Sequence, residues 1–190
     1  MLPSEAMEVM KSYGVNVIGK RAKLEEILRM PRPLVLKADT EEHKTERGLV
    51  FLNLKTDSEI VEAYRKLEPY GVIAQPFVEG FELIVGGLRE KTFGKVVMVG
   101  AGGVLAEIFQ DVSFRAVPIE RRDAEEMLAE LRVKKIFEGF RGKVANRESV
   151  IETLLAVSAF AQENEFKELD INPLIVNERG AFAVDVRLIE

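Results

Sequence analysis

Four stretches of this 190-residue chain hold residues whose types and spacing could do chemistry. The only histidine, His43, lies in the charged run EEHKTERGLV, residues 41–50. An imidazole titrates unaided near neutral pH, and its neutral nitrogen is a nucleophile. Residue type alone leaves two roles open for it, a solvated loop residue or a nucleophile and proton carrier. Near the end of the chain, ELDINPL (168–174) and AVDVRLI (183–189) bring acids and an amide into two apolar strands. Lys37 closes the apolar run PLVLK, where its ammonium could reach a phosphate or simply snorkel to solvent. VGAGGVLAE (99–107) offers paired glycines whose N–H groups can face an anion, or a plain hairpin turn.

The terminal segments allow a geometric inference. With Asn177 to Gly180 as a four-residue loop, Val176 lies opposite Ala181, and Leu174 opposite Ala183. Asn172 then faces Asp185, and Asp170 faces Arg187. Opposed residues share a sheet face, with Cβ atoms roughly 5 Å apart. One face therefore carries Asp170, Asn172, Asp185 and Arg187. The other carries Leu169, Ile171, Ile175, Phe182, Val184, Val186 and Leu188. An amide oxygen and a carboxylate so placed can share one Mg2+, with water and phosphate completing its shell. An ordinary wet sheet face with an Asp–Arg pair fits the same pattern.

Composition narrows the chemistry further. With no cysteine, thiol catalysis, disulfides and Cys-ligated metals are excluded. One histidine argues against His-rich metal sites and against a serine–histidine triad. A net charge of −5 argues against a nucleic-acid partner. No stretch is long and apolar enough to span a membrane, and the first residues lack the pattern of a signal peptide. Any metal should be a hard cation held by oxygen.

The elements that must position these residues follow from periodicity. Ser4 caps a helix running to Tyr13, and Gly14 stops it. Strands are expected at 15–18, 33–37 and 48–54, with helices at 22–30 and 56–71, the latter capped by Thr56 or Asp57. Residues 71–118 read as an antiparallel meander with Gly turns, and Pro76 interrupts the strand of AQPFVEGFE. Such an interruption leaves backbone groups for a planar ligand, or is an ordinary bulge. Helices are expected at about 122–137 and 148–163, before the final hairpin. The class is α+β, a mainly antiparallel sheet with packed helices.

Taken together, EAMEVMKSYGVNV (5–17), VLK, HKTERGLV (43–50), GFELIVGGLRE (80–90), AGGVLAEIFQDVSFRAVPI (101–119), ELDINPL and AVDVRLI carry a resemblance. The chain resembles the β subunit of archaeal ADP-forming acetyl-CoA (acyl-CoA) synthetases, an ATP-grasp module, and more distantly that of succinyl-CoA synthetase. The resemblance implies a single ATP-grasp domain over 1–190, with lobes of about 1–77 and 78–190, each a mainly antiparallel sheet with helices. It implies Lys37 on nucleotide phosphates, the hinge Gln75, Phe77 and Val78 on adenine, and Glu82 on ribose. Asn172 and Asp185 would be magnesium ligands, and Asp170 would meet an incoming phosphohistidine. Residues 101–107 would handle the transferred phosphoryl group. His43, in a motif like HKSDxGGV, would relay it from the α subunit to ADP.

The implied enzyme is a cytoplasmic acid–thiol ligase, with Mg2+ as cofactor and ATP or ADP as substrate. It would be active only beside an α subunit that carries the CoA and acyl-phosphate site. Leu49 departs from the motif's second glycine, and the segments around residues 22–42 and before 71 are short. Those departures support one alternative, a degenerate or regulatory ATP-grasp subunit without catalysis; the other alternative is another ATP-grasp carboxylate ligase that needs no phosphohistidine.

Overall fold

The computed structural model describes residues 1–41, 48–103 and 111–190. Two antiparallel sheets organise them. The first has four strands: β1 (Lys20–Arg21), β2 (Leu34–Ala38), β3 (Val50–Leu54) and β4 (Val72–Pro76). Their order is β1-β4-β2-β3. The second runs β10-β8-β5-β6-β7, with β9 also paired to β8. Its strands are β5 (Phe81–Glu90), β6 (Gly94–Ala101), β7 (Val112–Ala116), β8 (Glu168–Asn177), β9 (Gly180–Ala183) and β10 (Val186–Ile189). Residues 77–80 connect the sheets; β5-β6-β7 form a meander, while Val72–Pro76, expected to belong to it, pairs with β1 and β2 in the first sheet.

Each sheet buries an apolar face under helices. All five residues of β2 are buried, because β3 and β4 flank it and α3 (Asp57–Leu67) packs over it. Thr56 caps α3 by accepting from the Glu59 N–H, while the Glu59 carboxylate accepts from the Thr56 N–H. That reciprocal pair satisfies two end donors of the helix. In the second sheet, α4 (Arg121–Glu130) and α5 (Arg147–Glu163) cover the face of Leu83, Val85, Val97 and Val99. The helix α1 (Pro3–Ser12) also joins this second core, packing Ala6, Met7 and Met10 near β10. The start of the chain thus folds against its end.

Several elements differ from the periodicity reading. Residues 15–18 form a single parallel bridge, Val17 to Ala183, in place of a strand. The helix α2 is one turn, Leu24–Ile27. Leu2 and not Ser4 occupies the cap of α1, because Ser4 donates both its N–H and its hydroxyl to Asp39. The helix expected to run to Phe137 stops at Glu130, and a 3₁₀ segment, Arg132–Phe137, follows. The physical reason is Asp111, which accepts from the N–H groups of Arg132 and Val133 at 2.8 and 2.9 Å. A carboxylate 21 residues upstream of Arg132 starts a new helical turn there, and Leu131 is extended.

Candidate functional site

The terminal hairpin has the register expected. Val176 pairs with Ala181 and Leu174 with Ala183, then Asp170 with Arg187. Between these ladders β8 changes partner from β9 to β10. Pro173 has no N–H to give, so the ladder is interrupted beside it. Asn172 and Asp185 meet at this interruption, with the Asn172 N–H donating to the Asp185 carbonyl at 3.2 Å. The expected face separation holds for Leu169, Ile171, Val186 and Leu188, which are buried. Toward the turn it fails, since Leu174, Val176, Ala181 and Ala183 are buried as well. That end of β8 is enclosed on both faces.

Lys37 reaches this corner from the other sheet. Only 3% exposed, it donates to the Val184 carbonyl and lies 3.2 Å from Asp185 Oδ1. A buried ammonium needs such partners to offset its desolvation. Gln75 is buried in β4, its backbone paired with Val35. With its amide oriented as the surrounding carbonyls require, it donates to Ile18 O at 3.2 Å and to Val184 O at 3.1 Å. Lys37 and Gln75, from neighbouring strands of the first sheet, thus converge on one carbonyl of the second. Sequence reasoning assigned Gln75 a backbone role and missed the Val184 carbonyl, because nothing in a residue type marks a carbonyl as a meeting point.

Asp170 is half-buried on β8, two residues before Asn172. Burial pushes its carboxyl up to about 6, and Glu168 and Asp185 add to this, while the Asn172 amide and Arg187 oppose it. The hinge residues lie where the sheets join. The Phe77 N–H donates to Pro33 O, and Val78 lies in the connection. Glu82 opens β5 with its side chain exposed, and its carbonyl accepts from Gly102 N–H at 2.8 Å. A Cβ on Gly102 would lie 2.9 Å from that carbonyl, and one on Gly103 2.9 Å from the Glu82 carboxylate. Only glycine lets this turn pass so close to Glu82.

His43, with Glu42 to Arg47, lies outside the described residues, as do 104–107 of the glycine loop. Leu49 lies within them. It is buried in the first core, and its carbonyl accepts from Ala38 N–H. Asp39 was missed by the sequence reading. It is buried directly after β2, holding Ser4 of α1, with Arg21 at 3.7 Å.

Among the described residues no cluster of three or more acids or histidines is arranged around a metal position. Asn172 and Asp185 supply two hard oxygen donors. That set fits a Mg2+ that takes its other positions from phosphates and water, and does not fit a soft metal.

The chain matches the family model for the ATP-grasp domain over residues 1–189. It is 37% identical to the β subunit of ADP-forming acetate–CoA ligase I of Pyrococcus furiosus, covering 100% of this chain and 91% of that subunit. It is 35% identical to ADP-forming acetate–CoA ligase II of Archaeoglobus fulgidus, covering 100% of this chain but 30% of that longer polypeptide. Among solved structures it is similar to the dinucleotide-forming acetyl-coenzyme A synthetase 1 of Candidatus Korarchaeum cryptofilum. The TM-score is 0.88 at 37% identity, covering 100% of this chain and 92% of that one. That structure holds coenzyme A and Mg-AMPPCP, with a phosphohistidine segment pointing towards the nucleotide-binding site.

Proposed function

Because this chain belongs to the ATP-grasp domain family, we propose that it is the nucleotide-binding β subunit of an ADP-forming acyl-CoA synthetase. The reaction is acyl-CoA + ADP + phosphate ⇌ carboxylic acid + CoA + ATP. The observation that carries this reading is the convergence of Lys37 and Gln75 of one sheet on Val184 and Asp185 of the other, beside Asn172. A phosphate chain between two sheets needs a cation from one and oxygen donors for a metal from the other, and that corner supplies both.

The roles are those the resemblance implies, and the placement of the described residues supports them. Lys37 contacts the nucleotide phosphates. Gln75, Phe77 and Val78 border the adenine at the sheet junction, and Glu82 takes the ribose. Asn172 and Asp185 hold Mg2+, which offsets phosphate charge when bound. An imidazole nitrogen of His43 attacks the phosphorus carried by the partner subunit's histidine. The first P–N bond breaks, and its electron pair stays on the partner's nitrogen. A β-phosphate oxygen of ADP then attacks, the second P–N bond breaks, and ATP forms. Asp170, whose carboxyl sits near 6, meets the incoming phosphohistidine.

We read the whole of 1–190 as one domain, with lobes meeting near residue 77. The partner is an α subunit carrying the CoA and acyl-phosphate chemistry, and the pair works in the cytoplasm. No helix among the described residues is long and apolar enough to cross a membrane. Leu49, the departure that most favours a regulatory subunit, faces the first core. Its side chain is accounted for by packing and carries no argument for lost nucleotide binding.

The test is phosphoryl transfer from γ-labelled Mg-ATP to this chain, with and without the α subunit, wild type beside His43→Asn. Acid-labile label on the wild type alone is the expected result. Turnover retained by His43→Asn would favour another ATP-grasp ligase. Absence of label and of Mg-nucleotide binding would leave a regulatory subunit.

A further inference from the structure

Residues 132–147 carry six of the chain's 27 lysines and arginines but one of its 32 acids. The stretch is therefore +5 in a chain of net −5, which leaves the remaining residues at −10. All six cations are exposed, namely Arg132, Lys134, Lys135, Arg141, Lys143 and Arg147. Among the described residues none of them makes an ion pair. Lys134 and Arg147 donate instead to the Ala129 and Glu125 carbonyls. Elsewhere in the same lobe Arg89 and Lys95 pair with Glu165, and Arg121 with Glu148. Exposed cations are commonly just solvated, but these are concentrated in an acidic protein, and of the six Arg147 is set near a carboxylate, that of Glu148.

The patch also has apolar content and a fixed shape. Phe140 and Val144 are 47% and 46% exposed between the cations, and Arg141 lies over the Phe140 ring at 5.4 Å. Phe140 and Lys143 exchange backbone hydrogen bonds of 2.8 and 3.0 Å. Gly139, Arg141 and Gly142 hold left-handed φ values of 110°, 52° and 75°. A non-glycine residue at such a φ is uncommon, and it fixes Arg141 in one conformation of the turn. Ala145 N–H then donates back to Ile136 O, and Asn146 N–H to Asn177 O. Exposed aromatic and arginine side chains on a rigid turn match the composition of protein interfaces.

We infer that residues 132–147 form a docking surface for an acidic face of the partner subunit. This rests on the reading of the chain as one of two subunits. Charge complementarity selects the occupant. A partner face of negative sign is drawn to the +5 patch and repelled by the −10 remainder, which sets one orientation of approach. A nucleic acid would meet the same repulsion along a much longer polyanion.

The test compares wild type with Lys135→Glu/Arg141→Glu/Lys143→Glu in binding the source organism's α subunit. Association should slow about tenfold in the variant at low salt, and the wild-type rate should fall toward the variant's as salt rises. The charge-conserving Lys135→Arg/Arg141→Lys/Lys143→Arg should keep the wild-type rate. Mg-ADP binding by each isolated chain, which does not involve the patch, should be unchanged and reports correct folding. Equal association of wild type and charge-reversed variant, with Mg-ADP binding intact, overturns the surface and leaves the nucleotide reading standing. A chain that binds no Mg-ADP but shows the charge-dependent association sinks the nucleotide reading alone. Tight binding of single-stranded RNA by the wild type, lost in the variant, overturns the surface in favour of a nucleic-acid contact.

Discussion

Replacing Lys37 with Met separates a structural fastener from a phosphate ligand. Lys37 is nearly fully buried and lies 3.2 Å from Asp185 Oδ1. At an effective dielectric constant of about 20, unit charges at that distance attract by about 5 kcal/mol. Most of this is offset by desolvation. Removing one partner of a buried pair typically costs about 3–5 kcal/mol, chiefly because the other charge is stranded. Asp185 is not stranded here, since its side chain is 30% exposed and water can reach it. The Val184 carbonyl keeps the Gln75 amide as a donor. Methionine also fills the lysine's volume. We therefore expect a loss of only about 1–2 kcal/mol, or roughly 2–8 °C in melting temperature for a domain of this size. Mg-ADP affinity should fall far more, by about 100-fold, because a preorganised cation on phosphate has no substitute in that corner. Calorimetric melting and equilibrium binding on the same preparations give both numbers. If nucleotide affinity stays within about threefold while the melt falls as expected, Lys37 only ties the sheets together, and the phosphate assignment is wrong.

Two further outcomes follow from buried carboxylates. Asp170, with its carboxyl near 6 against an ordinary value of 3.8, keeps a proton in the folded state that the unfolded chain has already lost. Metal-free stability should therefore fall as pH rises from about 4 to about 6 and stay lowered above that, by about 1–3 kcal/mol. Asp170→Asn should remove this fall, so the variant is more stable than wild type at pH ~8 in urea titrations with chelator, yet poorer in phosphoryl transfer. A variant no more stable than wild type at that pH would contradict the assignment. Asp39→Ala should strip the two Ser4 hydrogen bonds of 3.0 and 2.6 Å that join α1 to the first sheet. A cost of about 2 kcal/mol in thermal melts is expected, and a change below about 0.5 kcal/mol would show that α1 is held by its apolar face alone.

The same contrast between local pattern and distant partner explains what the sequence discloses. The hairpin register was legible because the glycine turn and the alternation of Leu169, Asp170, Ile171 and Asn172 favour one pairing, and a slip of one residue would have put Leu169, Ile171 and Leu188 in water. The cap of α3 was legible to within one residue, Thr56 or Asp57, and Glu59 three residues on settles it as Thr56. Asp39 and Asp111 were not. Their partners are 35 and 21 residues distant, and only the fold brings them to a helix start. The broken helix at Leu131 was hidden for the same reason, since the distant Asp111 overrode a sound local period.

At the site, side chains were readable and backbone was not. That Asn172 meets Asp185 was readable from the register, whereas Val184 is an ordinary apolar residue whose carbonyl accepts from both Lys37 and Gln75. This carbonyl has a consequence for function. It lies between β9 and β10, where the ladder gives way beside Pro173, so its lone pairs are not committed to a strand partner. The interruption that Pro173 imposes on β8 is thus also what lets the first sheet dock on the second, and the residue immediately after that carbonyl is the proposed metal ligand Asp185. Docking of the two sheets and placement of the proposed metal corner thus share the Val184 carbonyl, which the Gln75 amide still holds when Lys37 is replaced.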